Sequence, residues 1–264
     1  MSPLVHLISK EVYMLKSKKL WQGIALSGLM AASLSTQATI VTMETSQGNI
    51  TINLFDETTP KTVDNFLTYV NAGDYNQSVI HRSVSGFITQ GGGFTYDGDK
   101  LVDIAVNDAV VNEPVYSNVK GTIAMAKKGG QPDSATIQWF FNLSDNAANL
   151  DVQNGGFTVF GQVIEGMDVV EKIAGLKLCN IALGSGSTPA PLDNVDNCSD
   201  AIGFENFVSI ANIDITDASE NTSEGLNPVK NTLINKPPSS SSGGAFGLFS
   251  MLALGLVWLR RQRF

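Results

Sequence analysis

Residues 79–93 read VIHRSVSGFITQGGG, a stretch that holds the only arginine and the only histidine between residues 39 and 259. The two are neighbours, His81 and Arg82, and every other cation of that span is a lysine. Arginine presents a planar fork of donors that stays charged at physiological pH, whereas lysine is a mobile point charge. Because this arginine is followed by Phe87 and Gln90, the stretch indicates an arginine used for chemistry rather than a surface arginine in a strand.

Three further blocks follow this stretch along the chain. They are GTIAMA at 121–126, SATIQWFFN at 134–142 and FTVFGQV at 157–163. Together with His81-Arg82, Gly86-Phe87 and Gln90-Gly91-Gly92, they resemble the cyclophilin family of peptidyl-prolyl isomerases in order and spacing. The resemblance covers residues 39–217. Four ordered blocks make a specific signal, whereas any one of them alone would be weak.

The resemblance implies a role for each candidate site residue. Arg82 is expected to be the catalytic cation, and Gln90 is expected to orient Arg82 or the peptide carbonyl. The expected substrate-binding residues are Phe87, Met125, Ala126, Gln138, Phe140, Leu150, Phe157 and, as a supporting residue, His81. Among them the apolar side chains would form a proline pocket, Gln138 would hold the substrate backbone, and Ala126 would pair with an extended peptide. The alternative for His81 is a partly buried histidine whose hydrogen bonds are satisfied within the protein.

The implied reaction needs little beyond these groups. Rotation about an X–Pro bond passes a barrier of about 18–20 kcal/mol that amide resonance sets. No covalent bond breaks, so neither a nucleophile nor a metal is required, and we expect no cofactor. The expected partners are proline-containing polypeptides, and the protein is expected to be a monomer. The alternatives are a proline-peptide binding module or holdase with little turnover, and a structural surface protein that uses the same barrel.

Three positions depart from the pattern of the family. Asn149 stands where many eukaryotic members carry a tryptophan that contacts cyclosporin, and Phe157 stands where those members carry a histidine. Trp139 replaces a more usual phenylalanine and is expected to pack in the barrel, where its indole N–H needs a partner. The departures at Asn149 and Phe157 bear on drug sensitivity rather than on activity.

The charge of the chain argues against nucleic acid as a partner. The net charge of the 264 residues is −8. Residues 39–242 carry 10 of the 17 Lys and Arg residues and 24 of the 25 Asp and Glu residues, a net charge of −14. A body of this sign repels phosphate backbones.

Both ends of the sequence predict export. Residues 1–38 are typical of a signal peptide, with lysines at 16, 18 and 19, an apolar stretch at 20–34 and small residues at the cleavage site. An uncleaved N-terminal anchor is the alternative. Residues 218–242 are rich in Asn, Ser, Thr, Glu and Pro, a composition that predicts a flexible linker.

The last segment, residues 243–264, has paired glycines, an apolar stretch at 245–259 and three arginines that favour a cytoplasmic end. It resembles GlyGly-type sorting signals, which rhomboid-type proteases process, and a plain tail anchor is the alternative. The expected location is therefore the periplasm or the cell surface, with membrane association before processing.

The two cysteines, Cys179 and Cys198, are expected to form a disulfide, because an even pair in an exported protein reads as a bridge. The alternative is two free or metal-binding thiols, but no further Cys or His lies nearby to complete a metal site. We therefore predict no metal. The surrounding stretch, residues 176–204, is expected to be a stapled surface loop.

The remaining patterns predict the fold class. Alternation over 39–55 predicts a hairpin turning at Gly48-Asn49, and residues 207–215 are expected to form the closing strand. Thr59-Pro60 and Gly73 delimit one helix, and residues 167–174 predict a second. Strands with two helices and no alternating βαβ units favour a mainly β protein with a closed antiparallel barrel. The resemblance specifies eight strands, capped by the two helices.

Overall fold

The computed structural model describes residues 39–219, 222 and 225–235. The predicted signal peptide (1–38) and the predicted C-terminal sorting segment (243–264) lie outside the described residues. Among the described residues, no helix is both long enough and apolar enough to cross a membrane.

The described part of the chain is mainly β, as predicted. Its strands are β1 (Ile40–Thr45), β2 (Gly48–Leu54), β3 (Ser78–Val79), β4 (Arg82–Val84), β5 (Ile88–Gly91), β6 (Phe94–Tyr96), β7 (Leu101–Asp103), β8 (Thr122–Met125), β9 (Trp139–Asn142), β10 (Val159–Glu165), β11 (Lys177–Leu183), β12 (Gly186–Leu192) and β13 (Ser209–Asp217). Its α-helices are α1 (Pro60–Ala72), α2 (Ala147–Leu150) and α3 (Met167–Ala174), and short 3-10 turns cover Gln153–Gly155 and Phe204–Asn206.

Eleven of the described strands form one antiparallel sheet, in the order β4-β5-β9-β8-β10-β2-β1-β13-β3-β6-β7. β3 and β4 lie far apart in this order, yet only Ile80 and His81 separate them along the chain. The sheet therefore curls so that its two ends approach each other. The expectation of a closed eight-stranded barrel is not confirmed, because the hydrogen-bonded order begins at β4 and ends at β7.

The first hairpin keeps the predicted apolar faces but turns two residues earlier than predicted. Met43 lies opposite Ile50, and both side chains are buried. This register centres the turn on Ser46-Gln47, whereas the prediction placed it at Gly48-Asn49. Shifting the pairing by one residue would move every apolar side chain to the other face, so the core, and not the glycine, sets the turn.

Both predicted helices are present. α1 begins at Pro60 and ends before Gly73, whose φ of 72° is the left-handed conformation that glycine adopts without strain. α3 covers Met167–Ala174, the range that the sequence predicts. Val170 and Ile173 of α3 are buried in the main core, so the helix packs against the core of the curled sheet.

The start of α1 differs from the prediction in its capping group. The Thr59 hydroxyl donates to the carbonyl of Phe55, 3.1 Å away, and does not cap the helix. The free N–H of Thr62 instead donates to the carboxylate of Glu113 at 2.9 Å. A carboxylate at a helix N-terminus also favours the helix dipole, and this one comes from a distant loop that local sequence does not reveal.

The stretch that contains the cysteines is regular rather than a loop. β11 and β12 form a two-stranded hairpin with Lys177 opposite Leu192. The predicted disulfide between Cys179 and Cys198 is present, with the two Cα atoms 5.3 Å apart. Cys179 and Leu192 are buried in a small cluster that covers the outside of the sheet near β3 and β6. The expectation of a surface loop is therefore wrong, although the disulfide joins the two cysteines that were expected to be bonded.

The segment after β13 also differs from its prediction. Residues 225–235, hereafter the C-terminal strap, were expected to belong to a flexible linker. In the structure the strap lies along residues 115–117: Ser117 N–H donates to Val229 O at 2.8 Å, and Asn231 N–H donates to Val115 O at 2.9 Å. These bonds fix the strap against the domain.

Candidate active site

One face of the sheet carries a row of side chains that four neighbouring strands place side by side. Arg82 of β4 lies opposite Gln90 of β5, and Gln90 lies opposite Phe140 of β9. Phe140 in turn lies opposite Ala124 of β8. Directly opposed residues of adjacent strands project from the same face of a sheet. A cation, an amide and an aromatic ring therefore share one surface, although they are distant in sequence.

Two hydrogen bonds hold the polar part of this row. Arg82 Nη1 donates to Gln90 Oε1 at 3.2 Å, and Gln90 Nε2 donates to Gln138 Oε1 at 2.9 Å. Arg82 is half-buried, and this burial lowers the pKa of its guanidinium. An arginine still keeps its charge in proteins. The site therefore holds a permanently charged guanidinium, which the side chain of Gln90 orients and Gln138 in turn supports.

The glycines at 91–93 make room for these side chains. A Cβ atom on Gly93 would lie 2.5 Å from Nε2 of Gln138, and one on Gly92 would lie 2.7 Å from Nε1 of Trp139. Such distances are far inside van der Waals contact. The QGGG sequence is therefore needed for Gln138 to reach Gln90 and for the indole ring to fill the core.

An apolar cluster adjoins the row on the same face. Its buried members are Phe55, Ile88, Tyr116, Ala124, Phe140, Leu150, Phe157 and Val159, and the half-buried Phe87 and Ala126 pack against them. The rings of Phe140 and Phe157 meet edge to face, with their centroids 5.8 Å apart. The structure thus brings together Phe87, Phe140, Leu150 and Phe157, which the sequence assigned to the proline pocket.

Met125 does not belong to this cluster. It is fully buried opposite Trp139, within the core that the sheet encloses. Successive residues of a strand face opposite sides, and Ala124 already faces the pocket, so its neighbour faces inward. The prediction that Met125 lines the pocket is therefore wrong. Ile88, two residues before Gln90 on β5, is a pocket residue that the sequence analysis missed.

Ala126 is half-buried and packs against the cluster. Its N–H donates to the carbonyl of Gln138 at 2.9 Å. The expected pairing with an extended substrate is therefore limited to the carbonyl of Ala126.

His81 lies behind the site rather than in it. Its ring packs edge to face on Phe94, with the centroids 4.7 Å apart, and the residue is buried. Burial first, and then the charge of Arg82, lower the pKa of His81 to about 3. The imidazole is therefore neutral at physiological pH and faces away from the apolar cluster, which corrects its assignment as a substrate-binding residue. Its carbonyl accepts a hydrogen bond from Thr188 of β12 at 3.0 Å.

Lys127 is a second site residue that the sequence analysis missed. Its Nζ donates to Asn154 O at 3.0 Å and to Gly156 O at 2.5 Å, and it lies 4.9 Å from the ring centroid of Phe157. The residue is only 9% exposed. Burial lowers its pKa to about 8, against the opposing charge of Asp133. In the sequence it is the first lysine of a KKGG run, which looks like an exposed turn.

Trp139 packs in the core as predicted, edge to face on Phe141 at a centroid distance of 5.1 Å. Its indole N–H has no hydrogen-bond partner among the described residues. Within that same part of the chain there is no group of three or more His, Cys, Asp or Glu side chains arranged to hold a metal ion.

Comparisons with known proteins found a matching family model, similar sequences and a similar structure. The model of the family "Cyclophilin type peptidyl-prolyl cis-trans isomerase/CLD" matches residues 40–198. The chain is 40% identical over 161 residues to peptidyl-prolyl cis-trans isomerase A of Dickeya dadantii, covering 60% of this chain and 83% of the relative. It is 41% identical over 143 residues to peptidyl-prolyl cis-trans isomerase B of Escherichia coli, covering 52% and 85%. A crystal structure of a cyclophilin type isomerase from Cryptosporidium parvum superposes with a TM-score of 0.48 at 23% identity, covering 68% of this chain and 98% of that one.

Proposed function

We propose that the substrates of this protein are proline-containing segments of exported proteins. The chain belongs to the cyclophilin-type peptidyl-prolyl cis-trans isomerase family. The chain is a peptidyl-prolyl cis-trans isomerase. The observation that carries the assignment of its site is the Arg82–Gln90–Gln138 chain, which lies beside the cluster of Phe140, Leu150 and Phe157.

The geometry suits rotation about an amide bond. As the X–Pro bond twists, resonance is lost and the prolyl nitrogen gains a lone pair. A guanidinium that is already directed at this position donates more strongly to the twisted amide than to the planar one, which lowers the barrier. Gln90 holds the guanidinium of Arg82 in place, so little reorganisation accompanies the step. The substrate supplies the bond that rotates, and the protein supplies no covalent partner.

The apolar cluster supports a role in holding the ring. The edge-to-face pair of Phe140 and Phe157 and the neighbouring Leu150 form apolar walls for a proline side chain. A ring held there stays still while the preceding residue turns. The carbonyl of Ala126 and the amide of Gln138 lie at the border of the cluster and would align the peptide backbone.

We also propose that the curled sheet is the expected eight-stranded barrel, with β3 and β4 counted as one bent strand. Two hydrogen bonds at the bend support this count. Ile80 N–H donates to Val208 O at 2.9 Å, on the β13 side, and His81 N–H donates to Gln90 O at 3.2 Å, on the β5 side. When β3 and β4 are counted as one strand, β13 pairs with the same strand that begins the order β4-β5-β9-β8-β10-β2-β1-β13. These eight strands then form a closed ring, and β6 and β7 extend the sheet beyond it.

The proposed location outside the cytoplasm has support of two kinds. The Cys179–Cys198 disulfide suits an oxidising compartment, since cytosolic thiols are kept reduced. The signal-like residues 1–38 and the sorting-like residues 243–264 support export and transient membrane association through their sequence alone. A rhomboid-type protease is the proposed processing partner of the tail.

The test of activity is a protease-coupled cis/trans assay on a proline tetrapeptide with purified residues 39–235. We expect acceleration over the uncatalysed rate, because the complete Arg82 and pocket arrangement lies within this fragment. Binding of the peptide without acceleration would instead identify a holdase or binding module.

A further inference from the structure

The C-terminal strap lies beyond the family match, which ends at residue 198, and beyond the last strand of the sheet. It returns to the domain beside the apolar cluster, where Leu226 packs against the buried members. Lys230 forms an isolated bridge with Tyr116, one of those members. The strap therefore contacts the same cluster that contains the proposed proline-pocket residues Phe140, Leu150 and Phe157.

Asn231 holds the strap in place. Its N–H donates to Val115 O at 2.9 Å, and its side-chain Nδ2 donates to Asp151 O at 3.0 Å. Its Oδ1 accepts from the backbone N–H groups of Leu233 and Ile234, at 2.9 and 3.0 Å. One side chain thus shapes the end of the strap and joins it to Asp151.

Asp151 is the first residue of the loop that joins the cluster residues Leu150 and Phe157, residues 151–156, hereafter the wall loop. The loop lies between Leu150 and Phe157, and Phe157 N–H donates to Leu150 O at 2.9 Å. The side chain of Asp151 is fully buried and accepts from Ser117 Oγ at 2.6 Å and from Asn118 N at 2.8 Å. Its carbonyl is the group that Asn231 binds.

The other end of the wall loop also meets the strap. A Cβ atom on Gly156 would lie 3.2 Å from Cδ1 of Ile234, so the strap packs directly on this glycine. Asn154, Gly155 and Gly156 have positive φ angles of 51°, 76° and 73°. Glycines lose more conformational freedom on ordering than other residues, so this loop depends on outside contacts to stay in one conformation. Lys127 supplies such contacts to the carbonyls of Asn154 and Gly156, and Asn112 supplies them to the carbonyls of Gly155 and Gly156. The strap adds the bond to Asp151 O and the packing of Ile234.

We propose that the C-terminal strap is part of the isomerase and that Asn231 is a positioning residue, which fixes the Leu150–Phe157 wall of the proline pocket. The inference rests on the isomerase site described above. It assigns a role to a segment that the family match does not include.

The test compares Asn231→Asp with Asn227→Asp in the full chain. The first change keeps the Oδ1 acceptor for Leu233 and Ile234 but removes the donor to Asp151 O. Asn227 lies in the same strap, and among the described residues its side chain donates to Gly225 O alone, at 3.3 Å. Both changes add the same charge, so Asn227→Asp controls for charge. Loss of the Asp151 bond is expected to raise KM for a proline peptide roughly three- to tenfold, with kcat near wild type. Asn227→Asp is expected to leave both constants unchanged.

Hydrogen exchange of the Phe157 amide gives a readout that does not depend on turnover. We expect faster exchange in Asn231→Asp than in wild type and in Asn227→Asp. A wild-type chain without isomerase activity would contradict the proposed function, whereas the exchange result would still decide the role of Asn231. Unchanged KM and unchanged exchange at Phe157, even with a lowered melting temperature, would overturn the inference and leave the strap as a brace for stability only.

Discussion

Arg82 is held by Gln90, a neutral partner, through a single hydrogen bond of 3.2 Å from Nη1 to Oε1. No carboxylate pairs with it in the part of the chain that the structure describes, where the one ion pair joins Lys120 and Glu171. A carboxylate at this position would neutralise the guanidinium and compete for its donors. An amide orients the fork and leaves its charge uncompensated, which is what stabilisation of a developing lone pair requires.

Arg82→Ala is expected to reduce kcat/KM for X–Pro isomerisation on the order of a hundredfold, the usual cost of removing one preorganised donor. Arg82→Lys should also be poor, because a mobile ammonium does not reproduce the planar fork. The protease-coupled assay measures the loss, and circular dichroism checks that the variants remain folded. Full activity of a folded Arg82→Ala protein would show that the catalytic cation lies elsewhere.

Lys127 gives a prediction about pH. Its charged form lies over Phe157 and donates to two carbonyls of the wall loop. The pKa of Lys127 is lowered from 10.5 to about 8, so the charge is present below pH 8 and is lost as the pH rises above it. We expect KM to rise roughly three- to tenfold between pH 7 and 9.5, the range of a cation–π contact.

The matched variants separate charge from bulk. Lys127→Met should show the high KM at every pH, whereas Lys127→Arg should keep the low KM at pH 9.5 because arginine stays charged. Protein stability is expected to change with pH in the opposite direction to substrate binding: binding weakens as the pH rises, whereas the protein becomes more stable. A lysine with a lowered folded-state pKa binds fewer protons than the unfolded chain between pH 8 and 10.5, so its contribution to the free energy of unfolding rises with pH. A pH-independent KM in wild type would contradict this role for the lysine.

Much of the site could be predicted from the sequence, because its residues lie in sequence blocks that form adjacent strands of the sheet. Arg82, Gln90 and Phe140 fall on adjacent strands in one row, as the resemblance implies. Met125 was misassigned because a sequence block does not by itself indicate which residues of the strand face the pocket and which face the core. Strand alternation from Ala124 would have corrected it, and the same parity from Gln90 would have found Ile88.

Other features depend on contacts that no local pattern contains. The carboxylate that caps α1 comes from Glu113, and Asn231 of a Ser- and Asn-rich stretch binds Asp151. Such polar residues are typical of linkers by composition, and only the partner on the domain distinguishes a docked strap from a free one. The β11–β12 hairpin did leave a signal in the sequence, since the apolar residues Cys179, Ile181 and Leu183 recur at a period of two, and these are the positions that the structure buries fully or partly.

Cyclosporin is expected to bind this protein weakly. Asn149, half-buried on α2 next to Leu150, offers neither the indole donor nor the apolar area of the tryptophan found in many eukaryotic members. Loss of such a contact typically weakens binding about 10–200-fold. Calorimetric titration of wild type and Asn149→Trp measures the effect, and the variant should bind more tightly. Nanomolar binding by wild type would overturn the expectation.

The tail is expected to be cut near Gly243-Gly244. Paired glycines lower local helix stability by about 1 kcal/mol each relative to alanine, and an intramembrane protease acts on an unwound strand. The Ser-rich stretch before them gives the enzyme access. Mass spectrometry of the protein purified from its own host reports the C-terminus. An intact Phe264 in the membrane fraction would indicate a permanent tail anchor.

The disulfide is expected to stabilise the hairpin that supports the back of the site. Cys179 and Cys198 are 19 positions apart, and closing a loop of this size contributes about 3 kcal/mol in the chain-entropy model. The hairpin donates from Thr188 to the carbonyl of His81, the residue before Arg82, yet Arg82 itself is oriented by Gln90.

We therefore expect dithiothreitol to lower the free energy of unfolding by about 3 kcal/mol. We expect kcat/KM at 25 °C to change less than about twofold, because Gln90 binds the guanidinium of Arg82 and the hairpin hydrogen bond goes to the carbonyl of His81 instead. Urea unfolding with and without reductant measures the stability term. The double variant Cys179→Ala with Cys198→Ala is the control, since reductant should leave its stability unchanged. Two thiols labelled in unreduced wild-type protein would mean that the bridge does not form in solution. A large loss of activity on reduction would show instead that the hairpin, and not Gln90 alone, holds Arg82 in its catalytic position.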